Sequence, residues 1–245
     1  MKKTILSFLT FCLCTVTLFA QDADKLRDEG DAALKEKNYA VALAKYSEYL
    51  KLTNYEDAAR IFNTGYSADQ VKDYKEAAKY YDMAVKKGYN KENSYVGKVK
   101  ALRDLDSRDE FITVLNEALK EFPTNVNLGK LGYAYLMKEA QAEQKAGNIA
   151  GAEKLFKQVL VVPDKTHKCN ALYSLGILFY NNGAKILQAA TPLATSDPDK
   201  YATEKGKADA DFKKSKEYLE QALVEVPTNE NAKKSLEAVN KVLTR

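Results

Sequence analysis

An all-α chain of repeated helical hairpins is what the sequence predicts, and three observations predict it. Beyond residue 22, apolar residues recur three and four positions apart with no period-two alternation, so no strand is called for. Gly and Pro fall mostly at boundaries between these periodic stretches. The chain also repeats itself: Gly30-x11-Ala42-x3-Tyr46 returns as Gly65-x11-Ala77-x3-Tyr81, with Tyr39 matching Tyr74 at the same shift. A second echo joins the thirteen residues from Leu115 to those from Leu219, and eight of the thirteen agree.

The spacing has a packing reason. A small residue on one helix and an alanine on the next let two antiparallel helices approach, and the large residue one turn later fills the space beside them. A single hairpin leaves an apolar face uncovered, and stacking the next hairpin buries it, which is why such units come in arrays. The segment 229–245 supplies a closing helix, capped by Thr228 or Asn229, with Leu236, Val239 and Leu243 facing inward.

With 245 residues, 45% of them apolar, the chain is long enough for a packed domain. Its charged residues, 29%, are nearly balanced, and the net charge of +4 is too small to point to nucleic acid. Residues 1–20 stand apart: Lys2 and Lys3 form a basic start, Thr4 to Phe19 carry no charge, and Ala20 precedes a polar stretch. This reads as a secretory signal peptide cut after Ala20, which makes the protein periplasmic or secreted. The apolar run is shorter than the roughly 20 residues of a spanning helix, so no transmembrane segment is expected after its removal. The mature balance is then 36 basic against 34 acidic residues. Cys12 and Cys14 lie inside the leader, preceded by Phe11 and Leu13 rather than the small residue that lipid attachment requires. Cys169 is left as the one mature thiol, expected to be half-buried, and it can form no internal disulfide.

The repeated residues resemble the tetratricopeptide repeat (TPR) family. Its 34-residue unit has a small residue at position 8, Ala at 20, an aromatic at 24 and often Pro at 32. Position 8 is Gly30, Gly65, Val99, Gly132 and Gly176 in five successive units. Position 20 is Ala42, Ala77, Phe111, Ala152 and Ser215, and position 24 is Tyr46, Tyr81, Leu115, Phe156 and Leu219. The resemblance implies a right-handed superhelical solenoid spanning residues 21–245. Its units are 23–56, 58–91, 92–124, 125–164 and 167–228, followed by the capping helix 229–245. The third unit is loose, because Val99 and Phe111 replace small residues.

Two insertions depart from the pattern. Gly132 to Ala152 is about eight residues longer than the rule, which should lengthen both helices of the fourth unit by roughly one turn each. In the fifth unit the excess is helical: Ala184, Ile186, Leu187 and Ala190 continue one helix, while Tyr201, Ala208 and Phe212 lead into the next. Pro192 stops the first, and Asp197-Pro198 is a cap and a first-turn proline. A long hairpin over 182–211, projecting past the stack, is predicted.

Catalytic constellations are missing. The single histidine, His167, reads as an exposed linker residue without a second imidazole or thiol pair to complete a metal set. No Gly-x-Ser-x-Gly elbow and no phosphate-binding glycine loop occur. No catalytic residue, cofactor or metal is therefore expected, and the chain does not read as an enzyme.

In this family the first helix of each unit lines a concave inner wall where ligands usually lie. Carried onto this sequence, the wall is Arg27, Asp31 and Lys35, then Phe62, Tyr66 and Gln70, then Val96, Lys100 and Arg103. Lys130, Tyr133, Leu136 and Met137 follow, and then Tyr173, Ile177, Tyr180 and Asn181. The aromatics suit anchoring of a peptide or protein segment, with Lys100, Arg103 and Lys130 as a basic centre. Tyr39, Tyr46, Tyr74 and Tyr81 are assigned to the core. Some family members clamp a partner's C-terminal carboxylate with Lys, Asn and Arg at set positions; of that set only Asn63 is present here. The resemblance thus implies an exported adaptor for a protein or peptide. A carbohydrate or cell-wall binding component is the alternative, since rings also stack on sugars, but the chain has no Trp.

Overall fold

The structure, a computed structural model, describes residues 22–244. The predicted leader 1–20 and the last residue of the capping segment, Arg245, lie outside the described residues. Among the described residues there are twelve helices and no strand. They are α1 (22–35), α2 (Tyr39–Leu52), α3 (Ala58–Gln70), α4 (Tyr74–Lys86), α5 (Lys91–Asp104) and α6 (Arg108–Glu121). Then come α7 (Val126–Lys145), α8 (Ile149–Val159), α9 (Lys165–Ala190), α10 (Leu193–Ser196), α11 (Pro198–Glu225) and α12 (Glu230–Leu243). The helices follow one another as packed antiparallel pairs, the all-α hairpin array that the sequence predicts. Two compact units divide between Ala118 and Leu119.

Local chemistry sets the boundaries. Asn38, Asp57, Asp73, Asn125, Asn148, Asp164, Asp197 and Asn229 each accept a hydrogen bond from the backbone N–H three residues on, as N-caps do. One turn design recurs between the two helices of four hairpins. Lys37, Lys72, Asp106 and Gly147 adopt left-handed backbone, with φ of 59°, 64°, 56° and 77°. The next residue closes a six-residue ring back to the helix: Asn38 to Ala33, Asp73 to Ala68, Ser107 to Leu102 and Asn148 to Glu143. Asn38, Asp73 and Asn148 also cap the following helix, which holds each of those connections to three residues.

The hairpins close where the glycines allow it. A Cβ built on Gly30 would lie 2.7 Å from the Tyr46 ring, and one on Gly176 would lie 2.6 Å from Leu219. Tyr81 is gripped from both sides: a Cβ on Gly65 would meet its ring at 3.2 Å, and one on Gly97, in the next hairpin, at 2.4 Å. Tyr46, Tyr81, Phe156 and Leu219, the large residues of the repeat, are all buried, as are Phe111 and Phe212. Tyr39 and Tyr74, expected in the core, are only half-buried, because each is the first residue of its helix and sits at the rim.

The inserted residues are distributed unequally. In the fourth hairpin all the extra length enters the first helix, α7 with 20 residues, while α8 has 11. The expectation of one added turn in each helix is thereby corrected; Ala152 stays three residues from the start of its helix, as Ala42 and Ala77 do. In the fifth, α9 and α11 are 26 and 28 residues long and lie along each other, joined by α10. Gly183 lets them approach, since its Cβ would lie 3.0 Å from the Ala208 carbonyl. α12 closes the second unit against α11, with Ala232 and Val239 buried. Cys169 is fully buried rather than half-buried, and its Sγ receives Asn229 Nδ2 at 3.1 Å.

A polar cluster ties the first two hairpins together. Asp31 on α1 accepts the Tyr46 hydroxyl at 2.7 Å and the Arg60 guanidinium through both carboxylate oxygens. Partial burial works to raise the Asp31 pKa, but the hydrogen bonds from Arg60 and Tyr46 outweigh it and hold the carboxyl below its ordinary value. Arg60 also approaches Asp57, which takes the Tyr49 hydroxyl at 3.0 Å.

Two outcomes follow from this packing. Gly97→Ala should destabilise the fold by about 1–3 kcal/mol, because its methyl must displace the Tyr81 ring. Gly206→Ala, with nothing within 4 Å, should instead gain up to about 1 kcal/mol of helix propensity. Urea midpoints of the two variants check the contrast, and equal shifts would refute it. The second outcome concerns acid. Since the folded pKa of Asp31 is depressed, its contribution is complete above the ordinary carboxylate value and is lost as pH falls through the folded one. Asp31→Asn should therefore show a shallower loss of stability than the wild type between about pH 5 and pH 3; matching slopes would remove Asp31 from the acid response.

Candidate partner-binding faces

Five of the sequence-predicted groove residues lie in the first unit: Arg27, Phe62, Tyr66, Lys100 and Arg103. Helices α1, α3 and α5 carry them. Phe62 is half-buried, with its ring 5.6 Å from Tyr81 and 6.1 Å from Tyr89. Tyr66 is 37% exposed and stands edge-on to Tyr39, ring centroids 5.7 Å apart. A hydrogen bond between the two hydroxyls, with partial burial behind it, raises the Tyr66 pKa.

Three of the four cations placed on this face are already engaged, and Lys35 is exposed without an acidic partner among the described residues. Arg27 holds Asp24 and Asp28 at 2.8 and 2.9 Å. Arg103 grips Asp104 with both Nε and Nη2, at 2.7 and 3.0 Å. Lys100 reaches back to Asp69 on α3 at 2.5 Å. Each of these cations already has a carboxylate partner, so Lys100 and Arg103 do not form the open basic centre that their sequence positions suggest.

Asp69 is the polar residue that the sequence reading passes over. It lies one turn beyond Tyr66, its side chain is 5% exposed, and its Oδ1 has no hydrogen-bond partner. The repeat register was the available signal, since residue 69 is on the wall side of α3. Asn63, the one match to the carboxylate clamp, hydrogen-bonds the Tyr46 side chain.

The other seven, Lys130, Tyr133, Met137, Tyr173, Ile177, Tyr180 and Asn181, lie in the second unit on α7 and α9. Lys130 and Asn181 are exposed, while Tyr133, Met137, Tyr173, Ile177 and Tyr180 are half-buried. Leu136, read with them from the sequence, is fully buried. Tyr180 leans on Phe212, centroids 5.7 Å apart, and lines a cleft of about 480 Å³ with Leu187, Tyr201 and Val242.

His167 is not the exposed linker residue that its neighbours suggest. It sits in the first turn of α9, its backbone N–H capped by Asp164 at 2.8 Å. Its ring stacks on Tyr133 with centroids 3.9 Å apart and planes 10° from parallel. Asn170 Nδ2 donates to the Tyr133 hydroxyl at 3.0 Å, which fixes that ring in place. Among the described residues no group of three or more His, Cys, Asp or Glu side chains gathers to hold a metal ion. No helix among them is long and apolar enough to cross a membrane.

Comparison with known proteins agrees with the helical-pair geometry. The tetratricopeptide repeat family model matches residues 27–93. A TPR repeats protein from Bacteroides fragilis is similar over 90% of this chain and 98% of its own, with 49% identity and a TM-score of 0.82. Looser likenesses include YrrB, a TPR protein with an unusual peptide-binding site, at 17% identity over 89% of this chain and 97% of that one, TM-score 0.41. Another is the TPR2AB domain of yeast Sti1 in complex with pHSP90, at 18% identity over 92% and 98%, TM-score 0.36. No curated protein sequence matches significantly. The TPR fold itself suggests a protein–protein interaction scaffold. With packed helical pairs, glycines against rings and a relative half identical along nearly its whole length, the chain belongs to the tetratricopeptide repeat family.

Proposed function

We propose that the protein is an exported, non-enzymatic scaffold that binds a peptide or protein segment along the face built from the first helices of its hairpins. One contrast carries the reading. The rings at the large-residue position of the repeat, Tyr46, Tyr81 and Phe156, are buried, whereas Phe62, Tyr66, Tyr133, Tyr173 and Tyr180 at the wall positions of the first helices are only partly covered. Tyr95, Tyr135 and Phe179, on other faces of those first helices, are buried. Half-covered rings held by their neighbours offer contact area at low entropic cost, and such anchors carry most of the energy of an interface. Arg27, Lys100 and Arg103 on the first unit's face are paired internally, so the recognition around them is of apolar and aromatic side chains rather than of charge.

Export rests on the basic, then uncharged, then polar order of residues 1–22. N-terminal sequencing of the protein from its native cell should begin at Gln21, and a retained Met1 would refute it. For binding, the test is in-cell cross-linking of a Tyr66→Ala/Tyr173→Ala double variant. Both rings are partly exposed, so helical content should be preserved while the partner is lost, with each truncation costing about 1–2 kcal/mol of affinity. Capture of an unchanged set of partners by the double variant would refute this face.

A further inference from the structure

Of the five cations that the sequence places on the wall, Arg27, Lys100 and Arg103 are ion-paired, while Lys35 and Lys130 are exposed without an acidic partner among the described residues. Lys130 stands on the rim of a cleft of about 310 Å³ formed by the start of α7 and the loop that enters α9. Val126, Gly129, Val162 and Pro163 form its apolar wall, with the His167 ring beside them, and Thr124, Asn125 and Asp164 complete the lining. Val126 is 64% exposed.

The cleft is firmly built. His167 is stacked on Tyr133, Tyr133 is held by Asn170, and the Asp164 carboxylate is occupied in capping α9. His167 Nδ1 is buried without a hydrogen-bond partner, with Asp164 Oδ1 3.7 Å away. Lys165 and Lys168, on the first turn of α9, likewise have no acidic partner among the described residues. Lys130 is thus the one cation among the described residues that line the cleft, with Lys165 and Lys168 on the adjoining first turn of α9 and the Oδ1 of the lining Asp164 engaged in the helix cap.

We infer that this cleft takes an acidic peptide segment of the partner protein, an aliphatic side chain entering between Val126, Val162 and Pro163 while the carboxylate of the following residue meets Lys130. Size and charge both select this occupant. About 310 Å³ is at the lower end of ligand sites, room for one side chain rather than a drug-sized molecule. An uncompensated cation beside an apolar wall favours an apolar group with an anion next to it. The inference rests on the protein-binding reading above and names the chemistry that such a partner would present.

His167 makes the test direct, because it is the one histidine of the chain and its ring gives a single imidazole signal. The probes are acetyl-leucyl-glutamyl amide, its neutral isostere acetyl-leucyl-glutaminyl amide, and acetyl-leucine with its terminal carboxylate, each titrated while the His167 ring resonances are followed. The glutamyl probe should shift His167 in a saturable way and bind about two- to fivefold more tightly than the glutaminyl one. Lys130→Gln should abolish that preference without moving the unbound spectrum elsewhere. Gly129→Ala should weaken both amides: its methyl would lie 3.5 Å from Val162 and 3.9 Å from Pro163, an ordinary contact that fills the wall without disturbing the fold.

Equal binding of the two amides, a preference that survives Lys130→Gln, or an unmoved His167 signal would each overturn the proposal. Tighter binding of acetyl-leucine than of the glutamyl amide would overturn it in favour of a chain terminus. A responsive cleft together with an unchanged partner set in the double tyrosine variant would keep the cleft and refute the aromatic face, so the two failures are distinguishable.

Discussion

The fold turns on how closely a helix backbone can pass a buried ring. Tyr81 fills the space between α3 and α5 because Gly65 and Gly97 present no Cβ to it, and Tyr46 does the same against Gly30. One tyrosine thus joins its own hairpin and couples that hairpin to the next. The contact also decides which side of each helix is consumed. On the first helices Tyr95, Tyr135 and Phe179 also enter the core, while Phe62, Tyr66, Tyr133, Tyr173 and Tyr180, on the wall side, stay partly exposed. Partial exposure of Tyr66 or Tyr173 follows from the interlock that makes the hairpins stack.

Much of this was legible because it is local or periodic. Glycine and ring spacing marks the close approaches, Asn and Asp before apolar runs mark the caps, and Asp197-Pro198 marks the start of α11 where it is observed. The left-handed residues at Lys37 and Lys72 were not legible. Lysine carries no signature for that backbone, and the turn forms because six-residue ring closure and the following cap outweigh the strain. The placement of the fourth unit's extra residues was hidden for a similar reason: a helix can absorb added turns at either side of a hairpin without changing its apolar period.

The polar contacts were the least visible part. Lys100 finds Asp69 across 31 positions, Arg60 finds Asp31 across 29, and Asn170 finds Tyr133 across 37. A sequence gives the charge of each residue but not its partner, so a lysine on the predicted wall looks the same whether it is spent or open. His167 shows the opposite error. It looked spare because no second ligand accompanies it, yet the return of α9 beside α7 gives it a stacking partner. Charge counts alone therefore misjudge such a surface, and the geometry separates Lys130 from Lys100.

That separation has a consequence for how the two units would recognise a partner. Where cations are already paired, a ligand's carboxylate would have to displace an internal partner, such as the nearly buried Asp69, and leave that charge poorly solvated. Such an exchange gains little, and under the proposed reading apolar contact with Phe62 and Tyr66 would be the productive interaction there. Around Lys130 no such exchange is needed, so a carboxylate adds to the binding of an apolar side chain instead of competing with an ion pair.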